Sequence, residues 1–405
     1  MKKNELGLPL EIEYCKKCNL INQRPTSINE YFHLPNSKQT TVEFTDGVCS
    51  ACNFVDIELN KINWKLREKE LKNLCDKYRK NNGEYDCVVP GSGGKDSVFA
   101  SYILKYKYKM KPLTVTWTPN LYTEIGWNNF QKWLHKGGFD NYLYTPNPVI
   151  MRKLTRESTK NLLHPFQPFI LGQKTFALKM ASLFNIKLIF YGEVSGKGGK
   201  KISHNVKSFS DIKDQQGFEM DPLNGKKFSD VFIGGKKVEE YLDEGLSMND
   251  LKSYKPLEIE KIKNEKMDFY YLGYFLKWIP QEMYYFSQEK IDFEANDVRT
   301  EGTYTKFCSL DDKIDGFHFY TFYIKYGHGR AMSDAVSDTR HGHITREEGK
   351  SLIKKYDGEY PIRHEKAFLD YISMDKVELI NLCNKFRPKH LWDKISGKWV
   401  LKKKL

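Results

Sequence analysis

The stretch Cys87-Val88-Val89-Pro90-Gly91-Ser92-Gly93-Gly94-Lys95-Asp96-Ser97-Val98-Phe99 decides the fold. Three apolar residues predict a short strand that runs straight into a glycine turn. Beyond the turn, Val98, Phe99, Tyr102, Ile103 and Tyr106 recur at helical spacing, so a helix begins near Asp96. Gly91, Gly93 and Gly94 allow φ > 0 and let backbone N–H groups approach phosphate oxygens closely. The helix start adds unpaired N–H groups and the positive end of its dipole, a ready anion site. Ser92 and Ser97 supply hydroxyl donors and Lys95 a point charge. Asp96 would repel phosphate unless Mg2+ lay between them. The loop is neither the GxxxxGK(S/T) loop of kinase-like nucleotide hydrolases nor the GxGxxG turn of dinucleotide folds.

Outward from the loop, the pattern alternates. Leu113-Thr114-Val115-Thr116-Trp117 predicts a second strand, Asn141-Tyr142-Leu143-Tyr144 a third and Lys187-Leu188-Ile189-Phe190-Tyr191 a fourth. Helices are predicted at Trp127–His135, ending at Gly137-Gly138, and at 149–163 and 169–184. Strands alternating with helices mean an α/β fold with a parallel sheet covered on both faces. Ligands on such sheets bind at the carboxyl ends of the strands, where the glycine loop and Gly192-Glu193 fall.

The 405 residues suggest several domains, and the balance of 40% hydrophobic and 29% charged is that of an ordinary folded protein. No apolar run approaches a membrane span. Met1-Lys2-Lys3-Asn4-Glu5 has no apolar run behind it, so no secretory signal is expected and a cytoplasmic location follows. The net charge of +13 suits polyanionic partners but equally a lysine-rich solvated surface. Four of the eight cysteines form two CxxC pairs, Cys15/Cys18 and Cys49/Cys52. Four thiolates at this spacing suit a tetrahedral structural zinc, with an iron–sulfur cluster as the competitor. Four parts follow: a four-cysteine zinc module at 1–58 with β-prone Thr40 to Phe44, a nucleotide domain at 59–200, an insertion or lid at 201–265, and a mainly helical region at 266–405.

SGGKDS after a first strand resembles the signature of the PP-loop ATP pyrophosphatases, which cleave ATP between its α and β phosphates and transfer AMP to a carbonyl-type oxygen. The resemblance implies that Ser92, Gly93, Gly94, Asp96 and Ser97 hold pyrophosphate and its magnesium. Nearly the whole chain resembles one branch, the N-acetyl sugar amidotransferases of bacterial surface-polysaccharide and nonulosonic-acid pathways. That likeness rests on the CxxC pairs, SGGKDS, Tyr191-Gly192-Glu193, Ser309 to Gly316, Gly327-His328-Gly329-Arg330-Ala331 and Arg340 to Gly349. It departs at Val194 to Gly199, where an Asn and a more acidic stretch are expected. The implied reaction adenylates a sugar acetamido oxygen and lets ammonia from a partner glutaminase displace AMP. The implied cofactors are ATP, Mg2+ and Zn2+, and nucleic acid is not an expected partner.

Candidate residues carry alternatives. Lys95, Asp96 and Glu193 are catalytic candidates; Glu193 could serve magnesium, substrate or ammonia, or be a plain surface carboxylate. Thr116, Trp117 and Gly192 are expected to border the nucleotide, though core packing of Trp117 is nearly as natural. Lys174, Lys325, His328, Arg330 and Arg340 are substrate candidates; the arginines suit bidentate capture of a diphosphate, a sugar carboxylate or the leaving phosphates. The plainer alternative is solvated helix faces. Thr345 and Glu348 spell a capping box, the aromatics at 269–286 suggest core, and Cys308 is expected to be buried. Two rivals share the loop, a tRNA thiolation enzyme and a nucleotide-binding regulator. The first needs a cysteine near the strand ends, and the sequence offers only Cys87, which its apolar neighbours bury.

Overall fold

A computed structural model describes residues 4, 7–25, 30, 42–60, 62–193 and 227–405. Thr40, Thr41 and the stretch 194–226, with the Val194–Gly199 departure, lie outside them. Among the described residues, five parallel strands form the central sheet: β1 (Cys87–Pro90), β2 (Pro112–Trp117), β3 (Asn141–Tyr144), β4 (Leu188–Tyr191) and β5 (Asp268–Tyr271). Their order is β3-β2-β1-β4-β5. The direction of strand addition therefore reverses between β1 and β4, the switch point at which such sheets bind ligands.

Alternation along the strands shows why both faces are covered. Val88 and Ile189 point into a core shared with helix α5 (Gln167–Leu183), through Leu171 and Ala177. Val89 and Phe190 point the other way, to Leu71 and Cys75 of α1 (Trp64–Tyr78). Cys87 lies in this second core, buried as its apolar neighbours required. The remaining helices that matter here are α2 (Lys95–Tyr102), α3 (Glu124–Gly137) and α4 (Pro148–Leu162). Gly138, in the left-handed region at φ 63°, ends α3 as expected.

One expectation needs correcting. Asp268–Tyr271, expected within a mainly helical region, is the outer strand of the sheet, in register with β4 from Leu188↔Asp268 to Tyr191↔Tyr271. Its run of consecutive aromatics reads equally as buried helix or buried strand, and pairing with β4 decides the matter. The described part of the insertion, 227–265, consists of short elements.

The C-terminal part contributes α6 (Pro280–Ile291), α7 (Asp315–Tyr326), α8 (Arg330–Arg340) and α9 (Arg346–Tyr356). Thr345 caps α9 and Glu348 returns the bond, completing the predicted box. The four CxxC cysteines share a core with Met332, Ala335 and Val336 of α8, Ile353 of α9, Leu391 and Trp392. Among the described residues, no helix is long and apolar enough to cross a membrane.

Phe190 fills the α1-side core at the centre of the sheet with no solvent exposure. Phe190→Ala is expected to lower stability by about 3–5 kcal/mol, measured by chemical denaturation.

Candidate functional site

The glycine turn is shaped from both sides. Gly91 donates its N–H to Val115 O at 3.0 Å, which fastens the turn to the end of β2. Gly93 sits at φ 85°, and a Cβ there would lie 2.6 Å from Phe130 Cα on α3. Only glycine meets both conditions. The turn ends at Gly94, where α2 starts with no side-chain cap, so its first N–H groups face the space above the sheet. Ser97 lines a cleft at the start of α2. Its hydroxyl donates to Gly94 O at 2.8 Å and stiffens the turn.

Two cavities meet at the turn. A cleft of about 530 Å3 lies on the β1/β4 side, walled by Trp117, Phe176, Tyr191 and Trp278, with Gly192, Glu193 and Lys174 at its rim. A smaller pocket of about 240 Å3 lies on the other side, lined by Lys95, Asp311, Asp315, Cys308 and Arg330. Ser92, Gly94 and Asp96 line both. Flat aromatic walls on one side and buried charges on the other suit the two halves of a nucleotide.

The charges in the pocket are tightly paired. Lys95 Nζ lies 2.7 Å from Asp96 Oδ2. Burial opposes the Lys95 charge, but Asp96 and Cys308 together outweigh it and the pKa is raised. Arg330 Nε lies 3.1 Å from Asp334 Oδ1. Burial pushes Asp315 up to about 6, against the pull of Arg330. Ser92 Oγ donates to Asp311 Oδ2 at 2.8 Å. Sequence reasoning does not single out Asp311 and Asp315, although it does mark the string Ser309 to Gly316 that holds them. Cys308 also corrects an expectation: a cysteine does line the smaller pocket at the turn. It is buried, and burial raises its thiol pKa.

The other candidates divide. Trp117 lines the cleft and packs on Phe176 and Tyr254 at centroid distances of 6.1 and 5.4 Å. Thr116 is turned into the sheet, where its Oγ1 accepts from Asn141 Nδ2 at 2.9 Å, because neighbouring residues of a strand face opposite sides. Lys174 pairs with Glu193 at 3.5 Å and lies over the Tyr191 ring.

Three substrate candidates lie elsewhere. Lys325 is buried and donates to Leu162 O at 2.9 Å; burial lowers its pKa to about 7. His328 Nε2 lies 2.7 Å from Ser333 Oγ and steadies the start of α8. Arg340 reaches the cysteines, its Nη2 donating to Cys18 Sγ at 3.4 Å and Cys49 Sγ at 3.6 Å. These three residues take structural partners because each is drawn inward by packing on α7 or α8.

The four thiols can hold one metal ion. All are buried, their sulfurs lie within 4.8 Å of one another, and the pairs Cys15–Cys52 and Cys18–Cys49 are 3.8 and 3.7 Å apart. A tetrahedral ion with bonds of about 2.3 Å to sulfur has sulfur–sulfur edges of about 3.8 Å. A cluster that seats each thiolate on a separate iron holds them farther apart. Backbone N–H groups of Lys17 and Cys49 donate to Cys15 Sγ, and with Arg340 they offset the excess negative charge.

Residues 301–405 match the family model described as "LPS biosynthesis protein WbpG-like, C-terminal domain". The C-terminal quarter of the chain is thus similar to that domain. An uncharacterized protein of Methanocaldococcus jannaschii is 42% identical over 53 residues, 13% of this chain and 19% of that relative. The match thus spans about a fifth of that relative's length. Among solved structures, an NH3-dependent NAD synthetase from Campylobacter jejuni is similar at 12% identity and TM-score 0.27, covering 51% of this chain and 94% of its own. An NMN synthetase from Francisella tularensis gives 14% and 0.26, with coverage of 51% and 94%. A U34-tRNA thiolase from Methanococcus maripaludis, with its 4Fe-4S cluster, gives 13% and 0.26, covering 95% of this chain and 92% of its own. Likenesses this distant decide nothing alone. The fold stands on its own features: a parallel sheet, its switch point, and the SGGKDS turn between β1 and α2. The WbpG-like domain supplies Asp311, Asp315 and Arg330 to the turn.

Asp357, in the same domain, accepts the N–H of Gly329 at 2.9 Å and of Met332 at 3.1 Å, and so caps α8. Burial holds its pKa up at about 7 despite these donors. Unfolded, the group titrates near ~3.9, so between about pH 4 and 7 the folded state binds more protons and stability falls as pH rises. Melting temperature is expected to drop between about pH 4 and 7, and Asp357→Asn to flatten that slope.

Proposed function

We propose that the protein is an ATP-dependent amidotransferase of surface-polysaccharide biosynthesis, which turns a sugar N-acetyl group into an acetamidino group. The observation that carries this is the shared pocket: a PP-loop turn and a WbpG-like domain place Lys95, Asp96 and Arg330 around one space. Adenosine is assigned to the aromatic cleft and the phosphates to the turn. Magnesium, held by Asp96 with Asp311 across the turn, would neutralise phosphate charge during transfer.

The acetamido oxygen attacks the α phosphorus, and the bond to the bridging oxygen breaks with its electrons on pyrophosphate. An amide oxygen is a poor leaving group, and adenylation makes it a good one. Ammonia then adds to the imidate carbon, and AMP leaves carrying the former amide oxygen. The protein's own part is positioning and charge neutralisation. Glu193, beside Lys174 at the rim of the cleft, is placed to take a proton from the incoming ammonium. A glutaminase partner is assigned the supply of ammonia. The four-cysteine site is assigned zinc in a structural role, since its four sulfurs leave no open position.

One observation favours a second reading, tRNA thiolation: Cys308 lines the phosphate pocket. Against it, burial keeps this thiol protonated, whereas sulfur transfer needs a thiolate.

The test incubates the protein with ATP, Mg2+, an ammonium salt and a panel of N-acetylated nucleotide sugars and nonulosonic acids, followed by mass spectrometry. AMP and pyrophosphate are expected together with a sugar whose oxygen is replaced by NH. Asp96→Ala is expected to abolish both and Cys308→Ser to retain them. AMP release with bulk tRNA and no sugar, lost in Cys308→Ser, would transfer the assignment to thiolation.

A further inference from the structure

Two cations from distant parts of the chain face the smaller pocket. Lys95 opens α2, and Arg330 opens α8 in the WbpG-like domain. Their side chains are only 12% and 20% exposed, and Arg330 disfavours the charge on Lys95. Like charges brought together out of water are costly unless anions lie among them. Within the protein, Asp96 answers Lys95, while Asp334, Asp315 and Cys308 share Arg330.

Of the three groups that share Arg330, Asp334 is its ion-pair partner. Asp334 engages Nε, at 3.1 Å from Oδ1 and 3.2 Å from Oδ2. Phe319 supports the guanidinium, its ring centroid 4.7 Å from Cζ. Asp334 is itself fixed by the hydroxyl of Thr303 at 2.6 Å. A guanidinium has five donors in a flat fork, so after Asp334 at Nε and the hydrogen bond to Cys308 it still keeps donors for phosphate oxygens. The backbone at Gly329, just before Arg330, is pinned by Asp357.

We infer that the smaller pocket is the pyrophosphate site, that Arg330 is the clamp through which the C-terminal domain grips the departing phosphates, and that Asp334 is its positioning residue. The inference rests on the ATP-cleaving reading above and assigns the pocket within it. Attacking and leaving oxygens lie roughly in line in phosphoryl-type transfers. With pyrophosphate on the Arg330 side of the turn, the acceptor oxygen approaches from the cleft, where Lys174 and Glu193 stand. The sugar and the leaving group therefore occupy opposite sides of Gly91–Ser97.

The experiment titrates the full-length protein with ATP, AMP and inorganic pyrophosphate in Mg2+ by calorimetry, so no sugar is needed. Arg330→Ala is expected to weaken pyrophosphate and ATP at least tenfold while AMP stays within twofold, and Arg330→Lys to recover part of the loss. Asp334→Asn is expected to weaken pyrophosphate several-fold in the wild-type background and to add nothing to Arg330→Ala, the non-additivity of a residue acting through another. Unchanged melting curves identify variants that remain folded. Equal losses for AMP and pyrophosphate, an unchanged pyrophosphate affinity in Arg330→Ala, or additive effects of the two substitutions overturn the assignment. A wild-type protein that binds neither ATP nor pyrophosphate overturns the ATP-cleaving reading itself.

Discussion

The close approach of Gly93 to the Phe130 backbone governs the geometry around it. A phosphate site built from main-chain N–H groups needs a turn so tight that no side chain intervenes. Here α3 presses on the turn from outside while β2 holds it from below through Val115 O. The turn then has one conformation, and the N-terminus of α2 is aimed rather than free. Everything that reaches this space, whether Trp117 from β2, Glu193 after β4 or Arg330 from α8, is placed relative to it.

The same constraint explains how much could be read beforehand. The glycine turn, the four strands before residue 192 and the caps of α3 and α9 rest on local chemistry, which a sequence displays directly. The fifth strand does not: Asp268–Tyr271 is apolar in either conformation, and only its pairing with β4 makes it a strand. Site residues divide along the same line. Lys95, Asp96 and Ser92 belong to the local motif and lie where it puts them. Arg330, Arg340 and Lys325 look alike in sequence as basic residues in a polar run. A turn of helix or a deep neighbour then sends one to the pocket beside Lys95, one to the cysteines and one into the core. Asp311 and Asp315 stay hidden because a carboxylate's partners, here Ser92 and Arg330, are remote in sequence.

Helix α8 carries both kinds of arginine. Its first residue faces the pocket beside Lys95, and its last donates to Cys18 and Cys49. Along the intervening turns, Met332, Ala335 and Val336 pack against the cysteine segment. The four thiols and the pocket beside Lys95 are thus steadied by one rigid element.

The N-terminal cysteine segment also sets an order of assembly. Tyr14 donates to Lys403 O, and Asn19 to Arg346 O, contacts that span 389 and 327 residues of chain. The core around these thiols therefore closes only with residues more than 300 positions further along the chain, and pairings so distant form slowly. A nascent chain halted before α8 would carry four exposed, reactive thiols with neither Arg340 nor the packing of α8 and α9 around them.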